Sequence, residues 1–379
     1  MGRSLFLIGL VAVAIAGAGQ AAPPPLTIGV TISQTGSAAG TAAYVLQGYQ
    51  RWVGDANHHG GLLGRPVRLR VYDDRSDPAT AAALYRKLIS EDRVDLLAGP
   101  YASAVSQAVI PVVEEQHKVL IGQTAATGLF TGRYAVQGNP QGSTYLPAVA
   151  DVAKDAGYRT VALLANDAPG TLEICAGVRA RAQALGLQIV LDRAYPRTTT
   201  AFGDYAAAAK AAGADVLVGC AFLPDSISLV RSLAAASVKP KLEALSIGPT
   251  DPTFARQLGS LAEGIVGSTV WWPSLKTKGN GDFVASFERT FHRSPVYHSA
   301  VAYASLQVLA AAVRGAGSLD QNRIRAALGT MRRDTVAGRF QLDGAGHQLG
   351  YGSYLMQWQD GAQKLVWPRD LAESALSLP

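Results

Sequence analysis

Two loops made mostly of small residues carry the best candidates for ligand chemistry in this 379-residue chain. Residues 99–103 read GPYAS, and residues 121–128 read IGQTAATG. Ser103 precedes a helical stretch, where a hydroxyl either caps the helix or joins oriented N–H groups in binding an anion. At Ala125 a small side chain lets the backbone approach a carboxylate, and Thr127 adds an N–H and a hydroxyl; an ordinary helix entry is the alternative. Both loops are therefore candidates for binding an anionic group, with a helix cap and an ordinary helix entry as the alternatives.

Enzyme or metal chemistry has little support in the residue types and their spacing. Asp73 and Asp74 are adjacent carboxylates, but they end a predicted strand far from any companion nucleophile, so we interpret them as structural. No Cys-x-x-Cys, G-x-S-x-G, Walker-loop or H-E-x-x-H motif occurs in the sequence. We therefore predict a protein that is not an enzyme, with no catalytic residues, no cofactor and no metal site.

The first 22 residues have the three parts of a secretory signal. Arg3 supplies the positive start, residues 5–16 form an apolar run too short for a membrane span, and small residues follow. We expect cleavage near residues 18–22. Because no lipobox cysteine lies near that point, a soluble exported protein is expected.

Length and composition indicate a globular protein with two domains. The chain after the signal, about 355 residues, exceeds the size at which one hydrophobic core usually stops growing. Apolar residues make up 48% and charged residues 16%, which is typical of a well-packed fold. The net charge of +6 is dispersed, with no basic stripe interleaved with aromatic residues, so no binding to nucleic acid is expected.

The two cysteines leave two alternatives open. Cys175 falls within a predicted helix, and Cys220 ends an apolar predicted strand. Export permits a disulfide between them, which would close a loop of about 45 residues. Two buried free thiols are the other alternative.

Short apolar runs alternate with helical stretches, which is typical of parallel α/β architecture. Asp77 is expected to cap one helix, with Pro78 at its first position. Predicted strands cover residues 26–32, 67–73, 96–99, 119–121, 160–165, 188–194, 216–221, 243–247 and 264–270, and residues 336–358 are expected to form antiparallel strands. Predicted helices cover residues 42–58, 78–91, 104–116, 144–156, 172–184, 205–212, 282–290 and 296–314. In open α/β folds ligands bind beyond the carboxyl ends of parallel strands, where both small-residue loops would lie.

Four segments in fixed order carry a pattern that extends over nearly all of the chain after the signal. They are QTGS at 34–37 through LQG at 46–48, GGLLGRP at 60–66 with YDD at 72–74, residues 99–127, and DTVAGRF at 334–340 with DG-x-G at 343–346. Together they resemble the type I periplasmic solute-binding proteins of ABC importers, typified by the leucine/isoleucine/valine-binding protein family.

The resemblance implies an α/β fold of two doubly wound parallel-sheet lobes joined by a three-segment hinge, with the ligand between the lobes. Lobe 1 would comprise residues 26–142 plus 273–334, and lobe 2 residues 143–272 plus 335–379. The implied partners are a small-molecule ligand and an ABC permease in the inner membrane. The implied location is the periplasm, and a monomer is expected.

The resemblance also implies a set of ligand-binding residues. Ser103, Ala125 and Thr127 match the family's carboxylate-binding positions. Tyr101 and His298 match positions of the pocket for the rest of the ligand, although a rim tyrosine and a purely structural histidine are the alternatives. Phe222 aligns approximately with an aromatic residue of that pocket.

The family pattern breaks where relatives that bind amino acids place an acidic residue to pair the ligand's ammonium group. Thr250 occupies that position here. Asp251 is adjacent, and it either replaces the acid after a loop shift or caps the following turn. A buried ammonium without a partner is costly, so an amino-free or aromatic acid is favoured over a branched-chain amino acid or amide. A periplasmic ligand sensor for a membrane signalling receptor is the alternative function.

Overall fold

The computed structural model describes residues 23–123, 125–126, 128–130 and 132–379. The predicted secretory signal at residues 1–22 and the predicted ligand residue Thr127 lie outside these residues. Within them the chain forms two large sheets flanked by helices, and a separate two-stranded hairpin.

The first sheet is built from the amino-terminal third of the chain. Its five strands are all parallel in the order β2-β1-β3-β4-β5, one of the common doubly wound orders. The strands are β1 (Leu26–Thr31), β2 (Val67–Tyr72), β3 (Leu96–Ala98), β4 (Leu120–Gly122) and β5 (Ala135–Gln137). The helices α1 (Ala39–His58), α2 (Pro78–Ser90) and α3 (Ser103–Glu115) connect the first four strands.

The second sheet has seven strands in the order β14-β13-β10-β9-β8-β6-β7. Five of them are parallel: β6 (Thr160–Asn166), β7 (Gln188–Tyr195), β8 (Val216–Cys220), β9 (Leu242–Leu245) and β10 (Val266–Thr269). The helices of this part are α4 (Ala148–Asp155), α5 (Pro169–Ala184), α6 (Gly203–Ala212), α7 (Leu223–Ala235) and α8 (Thr253–Leu258). Strands β8 and β9 are buried along almost their whole length, as expected for a sheet covered by helices on both faces.

The last third of the chain returns to both sheets. Helices α9 (Asn280–Phe291), α10 (Tyr297–Ala316) and α11 (Gln321–Gly329) come first, followed by the hairpin of β11 (Arg332–Thr335) and β12 (Gly338–Gln341). Helix α10 packs closely on α1, because Gly48 leaves room for the backbone of Ser299. Strands β13 (Tyr354–Gln359) and β14 (Ala362–Trp367) then complete the second sheet as its antiparallel edge.

Most of the predicted elements are present with shifts of a few residues at their ends. The Asp77 side chain accepts a hydrogen bond from Thr80 N at 2.7 Å, and Pro78 begins α2, so the predicted cap is confirmed. Residues 336–358 do form antiparallel strands, but β12 pairs with β11 and β13 pairs with β10 and β14. The sequence analysis missed the strands β5, β11 and β14 and the helices α7, α8 and α11. The lobe bounds given above stay a prediction.

The structure resolves the alternatives left open for the cysteines. Cys175 in α5 and Cys220 at the end of β8 form a disulfide, with their Cα atoms 5.8 Å apart. The bond ties α5 to the end of β8, just before the predicted pocket residue Phe222 in the chain.

Across the described ranges, no single helix is long and apolar enough to cross a membrane. Helices α10 and α11 pass a test of length and composition only as a pair, and that pair is bent by 112°. Most of α10 is buried inside the protein.

Candidate functional site

A cavity of about 350 Å³ lies between the two sheets, beyond the carboxyl ends of their parallel strands. The loops that follow β1, β2 and β3 supply one wall: Ser37, Ala38, Thr41, Ser76, Pro78, Tyr101, Ala102, Ala104 and Val105. The loops that follow β6, β7 and β8 supply the opposite wall: Asn166, Ala168, Arg197, Phe222, Leu223, Pro224 and Asp225. This placement follows from the strand direction, since all six strands present their carboxyl ends to the same space.

Among the predicted site residues that the structure describes, Tyr101 and Phe222 line this cavity, one on each wall. Burial raises the pKa of the Tyr101 hydroxyl; a hydrogen bond with Thr41 opposes this increase, and the charge of Asp251 adds to it. Tyr101 therefore presents a neutral hydroxyl and an aromatic ring. Its contact with a ligand stays a prediction.

His298 lies in the first turn of α10, where its ring contacts the ring of Tyr101. The two rings meet edge to face with centroids 5.3 Å apart, and the centroid of the Tyr297 ring lies 3.8 Å from that of His298. Its Nε2 atom is buried and has no hydrogen-bond partner among the described residues. Burial lowers the pKa of His298 to about 3, so the imidazole is neutral at physiological pH.

Ser103 begins α3 and lies where the two lobes touch. The N-cap residue is Ala102, which makes no side-chain capping bond, so the interpretation of Ser103 as the N-cap is wrong. A Cβ atom placed on Gly170, near the start of α5, would lie 2.6 Å from Ser103 Oγ. The two lobes are therefore in contact at this point, and a side chain at position 170 would force the Ser103 hydroxyl to shift.

The second small-residue loop also contacts the opposite lobe. Ala125 is fully buried and packs among the apolar residues of the first lobe, outside the cavity wall. Three residues later, Gly128 N donates a hydrogen bond to Glu173 Oε2 of α5 at 3.0 Å. This bond joins the loop to the same helix that faces Ser103.

Thr250 and Asp251 are buried, but they do not line the cavity. The Thr250 hydroxyl donates to the carbonyl of Ile247 at 2.8 Å, within the 3₁₀ turn Gly248–Thr250. Asp251 Oδ1 accepts from Thr253 N at 2.8 Å, so it caps the following turn, as one of the two alternatives proposed. Its charge contributes to the raised pKa of Tyr101.

Asp74 is a structural residue that shapes the first wall of the cavity. It is fully buried and accepts hydrogen bonds from Thr31 Oγ1 at 2.8 Å, Ser33 Oγ at 2.6 Å and Ser76 N at 3.0 Å. Burial raises the pKa of its carboxyl group, and these bonds oppose the increase. Ser76 in turn accepts from Ala38 N at 3.0 Å, which fixes the loop that carries the cavity residues after β1.

The sequence analysis missed three polar residues of the second wall, Arg197, Asn166 and Asp225. Asn166 Oδ1 accepts from Ala168 N at 2.9 Å, and its Nδ2 donates to Asp225 Oδ2 at 2.6 Å. Burial raises the pKa of Asp225, with hydrogen bonds from Asn166 and Tyr195 opposing the increase. Ser103 was predicted because it is a polar residue that follows a parallel strand. Asn166 at the end of β6 and Asp225 after β8 satisfy the same rule. It was not applied to β6 and β8.

Charged groups suited to metal coordination do not cluster in the residues that the structure describes. The polar groups at the cavity are hydroxyls, one amide, one carboxyl group and Arg197, whose Nε lies 3.4 Å from Asp167 Oδ1. This arrangement suits hydrogen bonding of a small organic molecule rather than metal binding.

Two doubly wound α/β lobes that enclose a cavity between their strand ends define the class of two-lobed solute-binding proteins. A family model described as periplasmic binding protein matches residues 25–363. The chain therefore belongs to the periplasmic binding protein family, and its fold is that of the type I members.

Full-length relatives agree with this assignment. An amino acid binding protein of Pseudomonas aeruginosa is 25% identical over 374 residues, which cover 95% of this chain and 98% of that protein. A Leu/Ile/Val-binding protein homolog 1 of Brucella abortus is 24% identical over 373 residues, covering 95% and 97%. The predicted resemblance is confirmed.

Three solved structures share the fold. A leucine-binding protein of Thermotoga maritima matches with a TM-score of 0.83 at 20% identity, covering 91% of this chain and 100% of that chain. A solute-binding protein of an ABC transporter from R. palustris, in complex with benzoate, gives 0.81 at 21%, covering 90% and 95%. A branched-chain amino acid transporter substrate-binding protein of Streptococcus pneumoniae, in complex with isoleucine, gives 0.82 at 20%, covering 94% and 100%.

Proposed function

We propose that this protein is the exported substrate-binding component of an ABC importer, which captures a small carboxylate-type solute between two closing lobes. It works in the periplasm as a monomer and delivers the solute to a permease in the inner membrane. It is not an enzyme and uses no cofactor. An amino-free or aromatic acid is favoured as the solute over a branched-chain amino acid or amide.

The observation that carries this proposal is the position of Ser103 in the closed cleft. It begins the 13-residue helix α3, whose first N–H groups make no backbone hydrogen bond to a described residue and whose dipole favours negative charge. Its hydroxyl faces Gly170 of the opposite lobe, beside cavity residues Ala102 and Ala104. A carboxylate held at this point would contact both lobes.

The preference for an amino-free acid rests on two residues of the second lobe, Thr250 and Asp251. Thr250 stands where an amino-acid receptor needs an acid, and its hydroxyl already donates to the carbonyl of Ile247. Asp251 is engaged as a turn cap by Thr253 N. Tyr101 and Phe222 offer aromatic surface to the body of the ligand. Among the similar structures one holds benzoate and another isoleucine, so this fold accepts both kinds of acid.

In this proposal, binding of the solute is coupled to closure of the two lobes. A solute that contacts both walls binds the closed form better than the open form, and therefore shifts the population toward closure. The proposed hinge consists of three crossings, near residues 142, 272–273 and 334–336, at loop or element ends that can absorb such a motion.

A thermal-shift panel on the purified protein tests the proposal. The panel contains benzoate, phenylacetate, 4-methylvalerate, leucine, valine and leucinamide. We expect stabilisation by one or more amino-free acids, with smaller effects of the amino acids and the amide. No stabilisation by any carboxylate in a wide panel would contradict the proposal, and tight binding of leucine or valine would overturn the preference for an amino-free acid.

A further inference from the structure

A carboxylate of the second lobe joins the small-residue loop at residues 121–128 to helix α5. Glu173 is half-buried and lies one turn after Gly170 in α5, and its Oε2 accepts a hydrogen bond from Gly128 N at 3.0 Å. Among the described residues that line the cavity, Glu173 is absent, so its carboxylate does not contact a solute held there. Its bond instead crosses from one lobe to the other.

The same loop also approaches the start of α5 through its backbone. A Cβ atom placed on Gly170 would lie 3.4 Å from the carbonyl oxygen of Ala126 and 2.6 Å from Ser103 Oγ. Both segments that are predicted to bind the ligand's carboxylate therefore abut the first turn of α5. Glu173 adds a charge-assisted hydrogen bond to this packing, and such bonds are about twice as strong as neutral ones.

The first proposed hinge crossing, near residue 142, reaches the same place. A Cβ atom on Gly142 would lie 2.5 Å from the carbonyl oxygen of Ala126 and 3.3 Å from the Cβ atom of Glu173. One turn further along α5, a Cβ atom on Gly177 would overlap the carbonyl oxygen of Ser143. Glu173 therefore lies where the loop, the crossing and α5 converge.

The bond between Glu173 and the loop depends on closure of the two lobes. Its donor belongs to the loop that follows β4 of the first sheet, whereas α5 packs on β6, β7 and β8 of the second sheet. Opening of the cleft moves the two sheets apart, so water replaces the bond in the open form. A contact that is made only in the closed form shifts the population toward closure, whichever solute is bound.

We infer that Glu173 is a positioning residue: in the closed form it holds the loop that carries Ala125 and Thr127 against α5, and it thereby slows the release of every solute by the same factor. The inference rests on the proposed function and specifies what sets the lifetime of the complex at that site. A residue of the cavity wall, such as Tyr101 or Phe222, changes the affinity for some solutes more than for others. Glu173 lies outside the wall and leaves the selectivity unchanged.

Stopped-flow measurements on the purified protein test the inference, with benzoate, phenylacetate, 4-methylvalerate and leucine as the probes. Trp271 and Trp272 lie at the second proposed crossing, so tryptophan fluorescence is used to follow closure. For Glu173→Ala we expect the dissociation rate constant of each acid that binds wild type to increase about 10-fold, the effect of losing a hydrogen bond to a charged group. The association rate constant and the melting temperature of the free protein should stay those of wild type, because the open form does not make the bond.

Glu173→Gln is the second variant, because its amide oxygen still accepts a hydrogen bond from Gly128 N. Since a neutral acceptor forms a bond about half as strong, we expect dissociation that is only about 3-fold faster than in wild type. Glu115→Ala is the matched control, because it removes an exposed carboxylate at the end of another helix, α3. We expect it to release each acid at the wild-type rate.

The outcomes separate the inference from the proposed function. Unchanged dissociation in Glu173→Ala, an effect on one acid but not on the others that bind, or equal losses in the alanine and glutamine variants would overturn the inference and leave the proposed function standing. Tighter binding by Glu173→Ala would also overturn it, because the carboxylate would then compete with the ligand for the loop. Absence of binding by every carboxylate would contradict the proposed function, and the inference with it.

Discussion

Ser103 and Gly170 meet across the cleft, so the hydroxyl assigned to the ligand's carboxylate lies where the two lobes touch. The single-residue predictions concern this contact and the buried imidazole behind it. Each compares a site residue with a control of the same type at an exposed position.

Replacing Ser103 by alanine removes the hydroxyl and leaves the helix N–H groups in place. A hydrogen bond to a charged group contributes about 1.5–3 kcal/mol, so we expect about 10- to 100-fold weaker binding of the best carboxylate. Calorimetric titration measures the change. Ser90→Ala, on the exposed end of α2, serves as the control and is expected to bind like wild type. Equal affinity of Ser103→Ala and wild type would contradict the assignment.

Replacing Gly170 by alanine obstructs closure. The added Cβ would lie 2.6 Å from Ser103 Oγ, and overpacking of this kind costs about 1–3 kcal/mol. We expect opening of the lobes in the free protein to relieve this clash, and therefore weaker ligand binding with an unchanged melting temperature of the free protein. Gly203→Ala, where no atom lies near the new Cβ, is the control. A variant that binds as tightly as wild type would show that the lobes do not meet here.

The neutral imidazole of His298 makes stability depend on pH. Its pKa is about 3 in the folded protein and about 6.5 when unfolded, so the unfolded state binds an extra proton between these values. Stability should therefore fall as pH falls below 6.5, by about 2 kcal/mol at pH 5 from this residue alone. Denaturant unfolding of wild type and His298→Gln at pH 7 and pH 5 measures the difference. The exposed His58→Gln is the control; a pH dependence unchanged in His298→Gln would refute the account.

At the scale of elements, the parallel strands and the loops beyond them could be predicted because apolar runs and helix signals are local. The Asp77 cap and the start of α2 followed from two residues. The pairing of β12 and β13 could not be predicted, because their partners lie elsewhere in the chain. A local rule finds Asn166 and Asp225 separately, but the hydrogen bond between them could not be predicted, because 59 residues separate them and only the folded sheet brings them together.

The disulfide joins two elements of the second lobe. Cys175 of α5 and Cys220 of β8 close a loop whose ends are 45 residues apart, for which chain entropy predicts a stabilisation of about 4 kcal/mol. We expect the double variant Cys175→Ser and Cys220→Ser to lose about that much free energy of unfolding, measured by denaturant titration. Ligand binding of the folded fraction should persist. An unchanged midpoint, or two reactive thiols in the native wild-type protein, would contradict the prediction.

At the scale of the whole molecule, two lobes with similar winding place six strand ends around one cavity. The family pattern predicted this architecture from four segments, but it left the ligand open. The reason is physical: the fold depends on many apolar positions that tolerate exchange, whereas the ligand depends on a few polar atoms whose hydrogen bonds are set by the folded loops. Thr250 and Asp251 illustrate this, because local turns already use their side chains.

Small-angle X-ray scattering of the protein titrated with its tightest carboxylate tests the central claim most directly. If the solute binds between the lobes and stabilises the closed form, the radius of gyration decreases with the same midpoint as the calorimetric heat. The Gly170→Ala variant, at ligand concentrations that saturate wild type, should keep the larger radius. Full occupancy by calorimetry with an unchanged radius of gyration would contradict capture by closure of the two lobes.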